Sequence, residues 1–441
     1  MKVFKFGGTS VGNPERIKNV SKLVSNDEPK IIVLSAMSGT TNNLVEIADY
    51  YSKKNSAAAY DRITELENKY KKVIDELYTT KEYKDKALEY SKKQFSHLRS
   101  FGGKDFTTVQ EKEVLAQGEL LSTHLFTYLN HELGIDTILL PALDYMKVDD
   151  LGEPILQLIE KDLTKMLAVY PGKKLFVTQG FICRNPKGQI DNLKRGGSDY
   201  SATLIGAAIE SEEVQIWTDI DGVHNNDPRI VQHTFPIAQM SFDEAAELAY
   251  FGAKILHPAT VLPAKLKNIP VLLKNTLDPK APGTIISNEV IGTGIKAIAA
   301  KDNITVVNIK SSRMLMAYGF LRKVFEVFEN YRTPIDMITT SEVALSISVD
   351  NNKYISEILG ELRELGTVTV TEHQTIVCIV GNMSIEHQGY ASDILNALKE
   401  IPVSMISFGG SPYNISLLIE SKDKNKALNL LNDNLFTSNK Q

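Results

Sequence analysis

The sequence predicts an α/β protein with a mostly parallel sheet sandwiched by helices, followed by a smaller C-terminal region that repeats itself. Short apolar runs typical of buried strands alternate with helical patterns over the first part of the chain, as expected for a parallel sheet covered on both faces. Beyond residue 288, a helix followed by two strands occurs twice, and Gly319 and Gly389 occupy equivalent positions in the two copies. This repeat predicts two βαββαβ units.

The composition is that of an ordinary globular protein. Of 441 residues, 43% are hydrophobic and 23% are charged, and this length suits about two to four domains. The chain starts without the apolar stretch of a secretory signal, and no run reaches the ~18 apolar residues of a membrane-spanning helix. We therefore expect a cytoplasmic protein that does not bind membranes. A net charge of −5 provides no general attraction to nucleic acid.

The cysteines do not suggest redox chemistry. Cys183 and Cys378 are the only two in the chain, and they lie far apart in the sequence. Two reduced, partly buried thiols are therefore expected rather than a disulfide.

The strands of the parallel sheet are predicted from apolar runs in order along the chain. They are Lys2–Phe6, Lys30–Ser35, Thr137–Leu140, Leu175–Gln179, Val214–Thr218 and Val271–Lys274. After the first of them, Asn13 is expected to cap a helix whose first position is Pro14. The charged helical segment Ala57–Leu98 predicts an exposed insertion, and Ser241–Glu244 has the pattern of a capping box.

The repeat region predicts two helices and four strands. The helices are Gly319–Tyr331 and Gly389–Lys399, and the strands are Ile335–Thr339, Val343–Val349, Val403–Ser407 and Asn414–Ile419.

Two glycine-rich turns carry the chemistry of an anion site. Gly7-Gly8-Thr9-Ser10 follows the first strand, and Lys194-Arg-Gly-Gly-Ser-Asp199 lies between a strand and a helix. Glycine lets the backbone approach a ligand, and amides at a helix start attract negative charge. The second turn alone is equally compatible with an ordinary capped loop. Neither turn has the Lys-Ser/Thr pair of a nucleotide-binding P-loop, and no full G-x-G-x-x-G follows a strand.

Seven motifs in sequence resemble those of the aspartate kinases, within the amino-acid kinase superfamily. They are Lys5–Ser10, Gly118–Leu120, Gly180-Phe181, Gly196–Asp199, Trp217–Asp219, Asp227–Arg229 and Phe251–Pro258. The resemblance extends from about Met1 to Phe436, and the chain looks like the monofunctional form without a fused homoserine dehydrogenase. It implies a carbamate-kinase-like catalytic domain over residues 1–288. It also implies two ACT domains, the first over 311–381 and inserted in the second, which takes 295–310 and 382–441.

The activity that this resemblance implies is transfer of the γ-phosphoryl group of ATP to the β-carboxylate of L-aspartate. The product is 4-phospho-L-aspartate, in the first step of lysine, threonine and methionine biosynthesis. A carboxylate is already a nucleophile at neutral pH, so the protein has to align it and stabilise moving charge. Mg²⁺ is expected to be carried by the nucleotide, with no separate metal site in the protein.

The resemblance also implies roles for particular residues. Lys5 and Asp199 would be catalytic, and four residues would bind aspartate: Thr41, Glu119, Arg195 and Ser198. Thr40 could replace Thr41 if the register of the loop is shifted by one. The expected nucleotide contacts are Lys5, Gly7, Gly8, Ser10, Thr218, Asp219, His224, Arg229 and Lys254. His224 stands where relatives often have tyrosine.

A regulatory pocket is implied by likeness to the lysine-sensitive relatives. Its expected residues are Met314, Ala317, Gly319, Phe320, Leu321, Ile335, Asp336, Thr340, Ser341 and Glu342. Asp336 would accept the side-chain ammonium group of L-lysine as the feedback inhibitor. The ACT pair further implies a homodimer or homotetramer.

Two other functions remain open at this point. A kinase for glutamate, carbamate or UMP is possible within the superfamily, although Glu119 with Arg195 and the ACT repeat favours aspartate. A catalytically silent amino-acid sensor is the alternative from another class. Against it stands the presence of Lys5, Glu119, Arg195 and Asp199, the set that the resemblance implies for catalysis and aspartate binding.

Overall fold

A computed structural model describes residues 1–194, 196–252, 256–314, 318–383 and 389–436. Backbone contacts divide the chain into two compact units. The first comprises Met1–Val223, Ala238–Phe242 and Leu256–Glu289, and the second comprises His224–Ile237, Asp243–Ile255 and Val290–Gln441. In the described ranges, every helix is too short or too polar to span a lipid bilayer.

Ten strands are described in the first unit. They are β1 (Lys2–Phe6), β2 (Lys30–Leu34), β3 (Thr137–Leu140), β4 (Leu175–Gln179), β5 (Ile182–Arg184), β6 (Ile190–Asn192), β7 (Val214–Thr218), β8 (Gln239–Ser241), β9 (Val271–Asn275) and β10 (Thr284–Ser287). Eight of them form one sheet in the order β3-β4-β2-β1-β7-β9-β10-β8, and β5 pairs with β6. Neighbours in the large sheet are parallel except β9 and β10, which confirms the predicted mostly parallel sheet.

Ten helices are described between residues 14 and 266, in the connections between these strands. They are α1 (Pro14–Val24), α2 (Thr40–Ser52), α3 (Ser56–Leu77), α4 (Lys81–Arg99), α5 (Thr108–Glu132), α6 (Ala142–Tyr145), α7 (Leu156–Ala168), α8 (Gly197–Ala208), α9 (Phe242–Tyr250) and α10 (Pro258–Leu266). Among them, α9 belongs mostly to the second unit. The predicted cap of α1 is confirmed, because Asn13 Oδ1 accepts a hydrogen bond from Arg16 N at 2.9 Å and Pro14 opens the helix.

The prediction that Ala57–Leu98 forms an exposed insertion is wrong. Helices α3 and α4 bury one face, including Tyr70 and Phe95, in the same hydrophobic cluster as Leu34 and Met37. The apolar residues recur at helical spacing, whereas the many charged residues between them lie on the outer face. The high charge content concealed an amphipathic pair of helices that belongs to the core.

The second unit is built on an antiparallel sheet of six strands in the order β12-β13-β11-β14-β16-β15. Its strands are β11 (Gly294–Lys310), β12 (Ile338–Thr340), β13 (Ala344–Val349), β14 (Thr367–Asn382), β15 (Met405–Phe408) and β16 (Asn414–Glu420). Its helices are α11 (Phe320–Asn330), α12 (Ile355–Leu365), α13 (Tyr390–Ala397) and α14 (Lys424–Leu435), with short 3₁₀ turns at Ser312–Met314 and Ser421–Asp423.

Two long strands, β11 and β14, run through both halves of this sheet. The end of β11 pairs with β13 and with the start of β14, whereas the start of β11 pairs with the end of β14, next to β16. The pairing register shifts between Lys301 and Ile304. The strand predicted at Ile335–Thr339 begins only at Ile338, because the ladder to β13 is regular only from there. The ACT boundaries proposed from the sequence remain a prediction.

Candidate functional site

The carboxyl ends of β1 and β2 open into a cavity of about 470 Å³ within the first unit. Five segments line it: residues 7–9 after β1, residues 35–39 after β2 together with Thr41 and Asn42, Phe181 after β4, Gly197 and Ser198 at the start of α8, and Trp217 with Thr218 at the end of β7. Lys5 and Glu119 also contribute side chains. In open parallel sheets, this edge is where ligands commonly bind.

Lys5 and Asp199 form an ion pair at this edge. The Lys5 Nζ atom lies 2.6 Å from Asp199 Oδ1, and both side chains keep some exposure, 12% and 21%. Lys5 projects from β1, and Asp199 lies in the first turn of α8, where a carboxylate is favoured by the helix dipole. The structure therefore brings together the two residues predicted to be catalytic.

The start of α8 depends on its glycines. Gly196 and Gly197 have φ values of 60° and 47°, a left-handed conformation that other residues rarely adopt. A Cβ atom on Gly196 would also lie 1.9 Å from Thr260 Cγ2. The turn thus directs Ser198 and Asp199 towards the sheet edge. Arg195, predicted to bind aspartate, lies outside the described residues.

The glycine turn after β1 is packed closely against the segment after β2. A Cβ atom on Gly8 would lie 2.9 Å from the Ala36 carbonyl oxygen, and one on Gly7 would lie 3.3 Å from Lys5 Nζ. Ser10 is buried behind this turn, and its hydroxyl is 3.3 Å from the Trp217 carbonyl oxygen, to which it donates. The Ser10 hydroxyl therefore anchors the turn to β7, and the expected contact of Ser10 with the nucleotide remains a prediction.

Glu119 is a buried carboxylate on α5, with 5% of its surface exposed. Its Oε1 atom accepts a hydrogen bond from Ala36 N at 3.2 Å. Burial raises the pKa of Glu119 to about 8. Among the described residues it forms no ion pair, and a cationic group in the cavity would favour its ionised form.

Ser198 and Thr41 flank the same space. Ser35 Oγ donates to Ser198 Oγ at 2.9 Å, and Gly180 is required behind it, since a Cβ atom there would lie 2.4 Å from Ser198 Oγ. Thr41 was predicted in a loop, but α2 begins at Thr40, so Thr41 is in the first helical turn. Thr40 is fully buried, whereas Thr41 is exposed at the cavity. The geometry favours Thr41 over Thr40 as a ligand contact.

The residues predicted for the nucleotide are divided between the two units. Thr218 lines the cavity, and its hydroxyl donates to Asp219 Oδ1 at 3.1 Å. His224 and Arg229 belong to the second unit. There, Arg229 forms a bidentate ion pair with Asp227, donating from Nε to Oδ1 at 2.9 Å and from Nη2 to Oδ2 at 2.7 Å.

His224 Nδ1 lies 2.8 Å from Thr234 Oγ1. Lys254 lies outside the described residues. Within the described ranges, no group of three or more His, Cys, Asp or Glu side chains has the arrangement of a metal site.

Phe181 is a cavity residue that the sequence did not identify, although it belongs to one of the motifs. Its φ of 66° is unusual for a residue other than glycine, and its backbone N donates to Ser201 Oγ at 2.8 Å. Its ring packs over Gly197. The Gly180-Phe181 pair was the only sequence signal for this strained turn.

Asp336, the predicted partner of an effector ammonium group, is paired within the second unit. Its side chain is 1% exposed, and its Oδ1 atom accepts from Lys301 Nζ at 2.7 Å and from Tyr250 Oη at 2.9 Å. Lys301 also lies 2.8 Å from Asp350 Oδ2. Burial by itself would lower the pKa of Lys301, but the two carboxylates raise it above its ordinary value. The other Asp336 oxygen is buried and has no hydrogen-bond partner in the described part of the chain.

The other predicted effector residues that the structure describes lie before and at the start of α11, before β12, and at the end of β12 with the turn that follows it. Gly319 precedes α11 with a φ of 81°. Phe320 is buried and Leu321 is exposed at the start of that helix. Met314 and Ile335 are half-buried, and Thr340, Ser341 and Glu342 are exposed. Ala317 lies outside the described residues.

Comparison with known proteins gives consistent matches. Residues 1–275 match the amino acid kinase family, and residues 377–435 match an ACT domain. The chain is 31% identical to lysine-sensitive aspartokinase 3 of Escherichia coli (strain K12), over 98% of this chain and 99% of that protein. The crystal structure of E. coli aspartokinase III with lysine and aspartate (T-state) has a TM-score of 0.83, with 31% identity over 99% of both chains. The complex of that enzyme with aspartate and ADP (R-state) has a TM-score of 0.81, with 31% identity over 99% of this chain and 100% of that one.

Proposed function

The chain belongs to the amino acid kinase family and, within it, to the aspartokinases, and we propose that the cavity at the ends of β1 and β2 is the centre at which it phosphorylates L-aspartate. The observation that carries this proposal is the Lys5–Asp199 ion pair in the same cavity region as buried Glu119. A cation for phosphate, a carboxylate for an ammonium group and close-packed glycine backbone are the components that the reaction requires.

Aspartate would bind through groups of complementary charge. Glu119 is suited to the α-ammonium group, because a carboxylate that has lost its solvating water on burial is stabilised by pairing with a cation. Thr41 and Ser198 offer hydroxyl groups at the cavity. Arg195 is proposed from the sequence as a bidentate partner for the α-carboxylate. Together these groups would hold the β-carboxylate in line with the phosphoryl group.

The phosphoryl group would be stabilised chiefly by Lys5. Its ammonium can neutralise the oxygens of the transferring group, and Asp199 holds that ammonium at the edge of the sheet. The amides of the turn at Gly7 and Gly8 supply further donors. We expect ATP to be the donor and Mg²⁺ to arrive on its phosphates, where it neutralises charge. Thr218, Asp219, His224, Arg229 and Lys254 are proposed for the rest of the nucleotide.

A direct assay tests the choice of substrate. Purified protein is incubated with MgATP and either L-aspartate, L-glutamate or UMP, and ADP release is measured. Release that depends on aspartate supports the proposal, and the hydroxamate formed from the acyl phosphate identifies the product. ADP release with glutamate or UMP alone would contradict it. Binding of ATP without turnover with any acceptor would instead indicate the amino-acid sensor.

Regulation by L-lysine is proposed from the ACT match and from the effector residues around Asp336. One relative is named for its sensitivity to lysine. The inserted pair of ACT domains, a homodimer or homotetramer formed through them, and a cytoplasmic location are also proposals. Light scattering with and without lysine would test the oligomer, because a monomer at assay concentration excludes both assemblies.

A further inference from the structure

Two side chains of helix α3 contact a segment that forms part of the cavity wall. This segment, residues 38–41, consists of the Ser38–Gly39 turn and the first residues of α2. Ser38, Gly39 and Thr41 line the cavity, whereas Thr40 points into the core. Two consecutive side chains of α3, Lys69 and Tyr70, form hydrogen bonds with this segment and do not line the cavity themselves.

Tyr70 provides the buried contact. Its hydroxyl lies 3.1 Å from Thr40 Oγ1, and both residues are fully buried. The Tyr70 ring packs edge-on against Phe95 of α4, with centroids 5.7 Å apart. Burial raises the pKa of Tyr70 above its ordinary value, so its hydroxyl stays neutral at the pH of an assay. Thr40 is thus attached to a rigid part of the core, immediately before Thr41.

Lys69 provides the second contact, at the edge of the turn. Its Nζ atom donates to the Ser38 carbonyl oxygen at 2.8 Å. The same atom lies 3.6 Å from the position that a Cβ atom on Gly39 would take. Gly39 has a φ of 78°, which only glycine adopts readily. The ammonium group therefore adds a side-chain contact to a turn that is also closed by the Thr40 N–H, which donates to the Met37 carbonyl oxygen at 2.9 Å.

We propose that Lys69 and Tyr70 are positioning residues for the aspartate subsite, and that α3 functions as the support of residues 38–41. The proposal rests on the proposed function, since it takes Thr41 as an aspartate contact. Neither side chain lines the cavity, so neither is expected to touch a substrate. Their effect is to keep the Thr41 hydroxyl in place before the substrate arrives, which removes an ordering cost from binding.

The kinetic consequence is specific to one substrate. Loss of either contact should raise the KM for aspartate by about three- to tenfold, the range expected for one hydrogen bond. The KM for ATP and kcat should stay within about twofold, because Lys5 and Asp199 are held by other elements. A general loss of stability would not separate the two substrates in this way.

The experiment compares Lys69→Met and Tyr70→Phe with wild type. Lys72→Met is the matched control, because Lys72 is an exposed lysine on the same helix. Steady-state constants for both substrates, the melting temperature, and hydrogen exchange of the amides of residues 40–43 are measured for each protein. Faster exchange at these amides in Lys69→Met, but not in Lys72→Met, is the expected structural signature.

A double-mutant cycle with Thr40→Val tests the buried contact. Tyr70→Phe and Thr40→Val remove the same hydrogen bond, so the double variant should raise the KM for aspartate no more than the stronger single change does. The inference is overturned if folded Lys69→Met and Tyr70→Phe keep the wild-type KM for aspartate, or if they raise both KM values equally.

Thr41→Val separates this inference from the proposed function. If Thr41→Val raises the KM for aspartate while the α3 variants do not, only the positioning role fails. If wild type releases no ADP with aspartate at all, the proposed function itself fails.

Discussion

Two lysine–aspartate pairs of nearly equal length lie in different surroundings in the two units. Lys5 and Asp199 are 2.6 Å apart beside a cavity, and both side chains retain some exposure. Lys301 and Asp336 are 2.7 Å apart, but Asp336 is 1% exposed and also accepts a hydrogen bond from Tyr250. A pair at a cavity can redirect its charges towards a substrate at little cost, whereas a buried pair must be replaced by groups of equal charge.

The same contrast applies to Glu119 and Asp336. Both are buried carboxylates, but Glu119 forms no ion pair among the described residues, and Asp336 has Lys301. Among the described residues Glu119 thus has no cation of the chain beside it, whereas an effector ammonium at Asp336, if the predicted effector site is correct, would have to share the carboxylate with Lys301 or displace it. The Asp336 Oδ2 atom has no hydrogen-bond partner among the residues that the structure describes, and it is the predicted atom for a second ammonium group.

Removing either member of the Lys5–Asp199 pair should have the largest effect on kcat. Asp199→Ala or Lys5→Ala removes charge that acts on the moving phosphoryl group, so kcat should fall on the order of a hundredfold or more. Lys2→Met is the control, because Lys2 lies at the other end of β1 and pairs with Glu28 and Glu213. Near-normal kcat in Asp199→Ala or Lys5→Ala would show that the residue replaced has no catalytic role.

Breaking the buried pair should affect inhibition instead of turnover. Asp336→Asn keeps the shape of the side chain but removes the charge for an effector ammonium, and the inhibition constant for L-lysine should rise at least about tenfold. Asp350→Asn is the matched control, since Asp350 contacts the same Lys301 but is more exposed. The effector assignment fails if wild-type activity is unaffected by millimolar lysine, or if Asp336→Asn remains fully inhibited.

The unpaired carboxylate predicts a pH effect that is specific to aspartate. The pKa of Glu119 is about 8 in the empty site, so the carboxyl group is largely neutral below that pH and cannot attract an ammonium group. Between about pH 7 and pH 8.5 the KM for aspartate should fall about eightfold as Glu119 ionises. Glu119→Gln should have a high KM that does not change over this range, and the KM for ATP serves as the control. If the KM of Glu119→Gln for aspartate still falls with rising pH as it does in wild type, the pH dependence belongs to another group.

The cavity was predictable because its signals are local. A buried parallel strand has an apolar run that ends where its ligand loop begins, and the glycines at 8, 196 and 197 are required by close approach or positive φ. Lys5 and Asp199 could therefore be assigned to one sheet edge before the structure was known. Ser10 remains a predicted nucleotide contact, because sequence does not distinguish a hydroxyl that faces a ligand from one that donates to a backbone carbonyl, as the Ser10 hydroxyl does to Trp217.

The contacts between distant segments were not predictable. Lys301 and Asp336 are 35 residues apart, and Tyr250 and Asp336 are 86 apart, with no periodic pattern to connect them. The burial of α3 was missed for another reason: its charged outer face dominated the composition of the segment. In both cases the deciding information is which faces meet in three dimensions, and it is absent from any local window of sequence.

The smallest predicted effect comes from a single hydroxyl at the buried pair. Tyr250→Phe removes one donor from Asp336 but keeps the ring, over which Lys301 Nζ lies 4.6 Å from the centroid. Burial raises the pKa of Tyr250 to about 12, so the hydroxyl is a donor throughout the assay range. With one competing donor removed, lysine should inhibit about threefold more strongly, which corresponds to one modest hydrogen bond. Tyr331→Phe, which loses an exposed bond to Glu361 in the same unit, should leave inhibition unchanged. Weaker inhibition in Tyr250→Phe would mean that the Tyr250 hydroxyl supports the effector rather than competing with it.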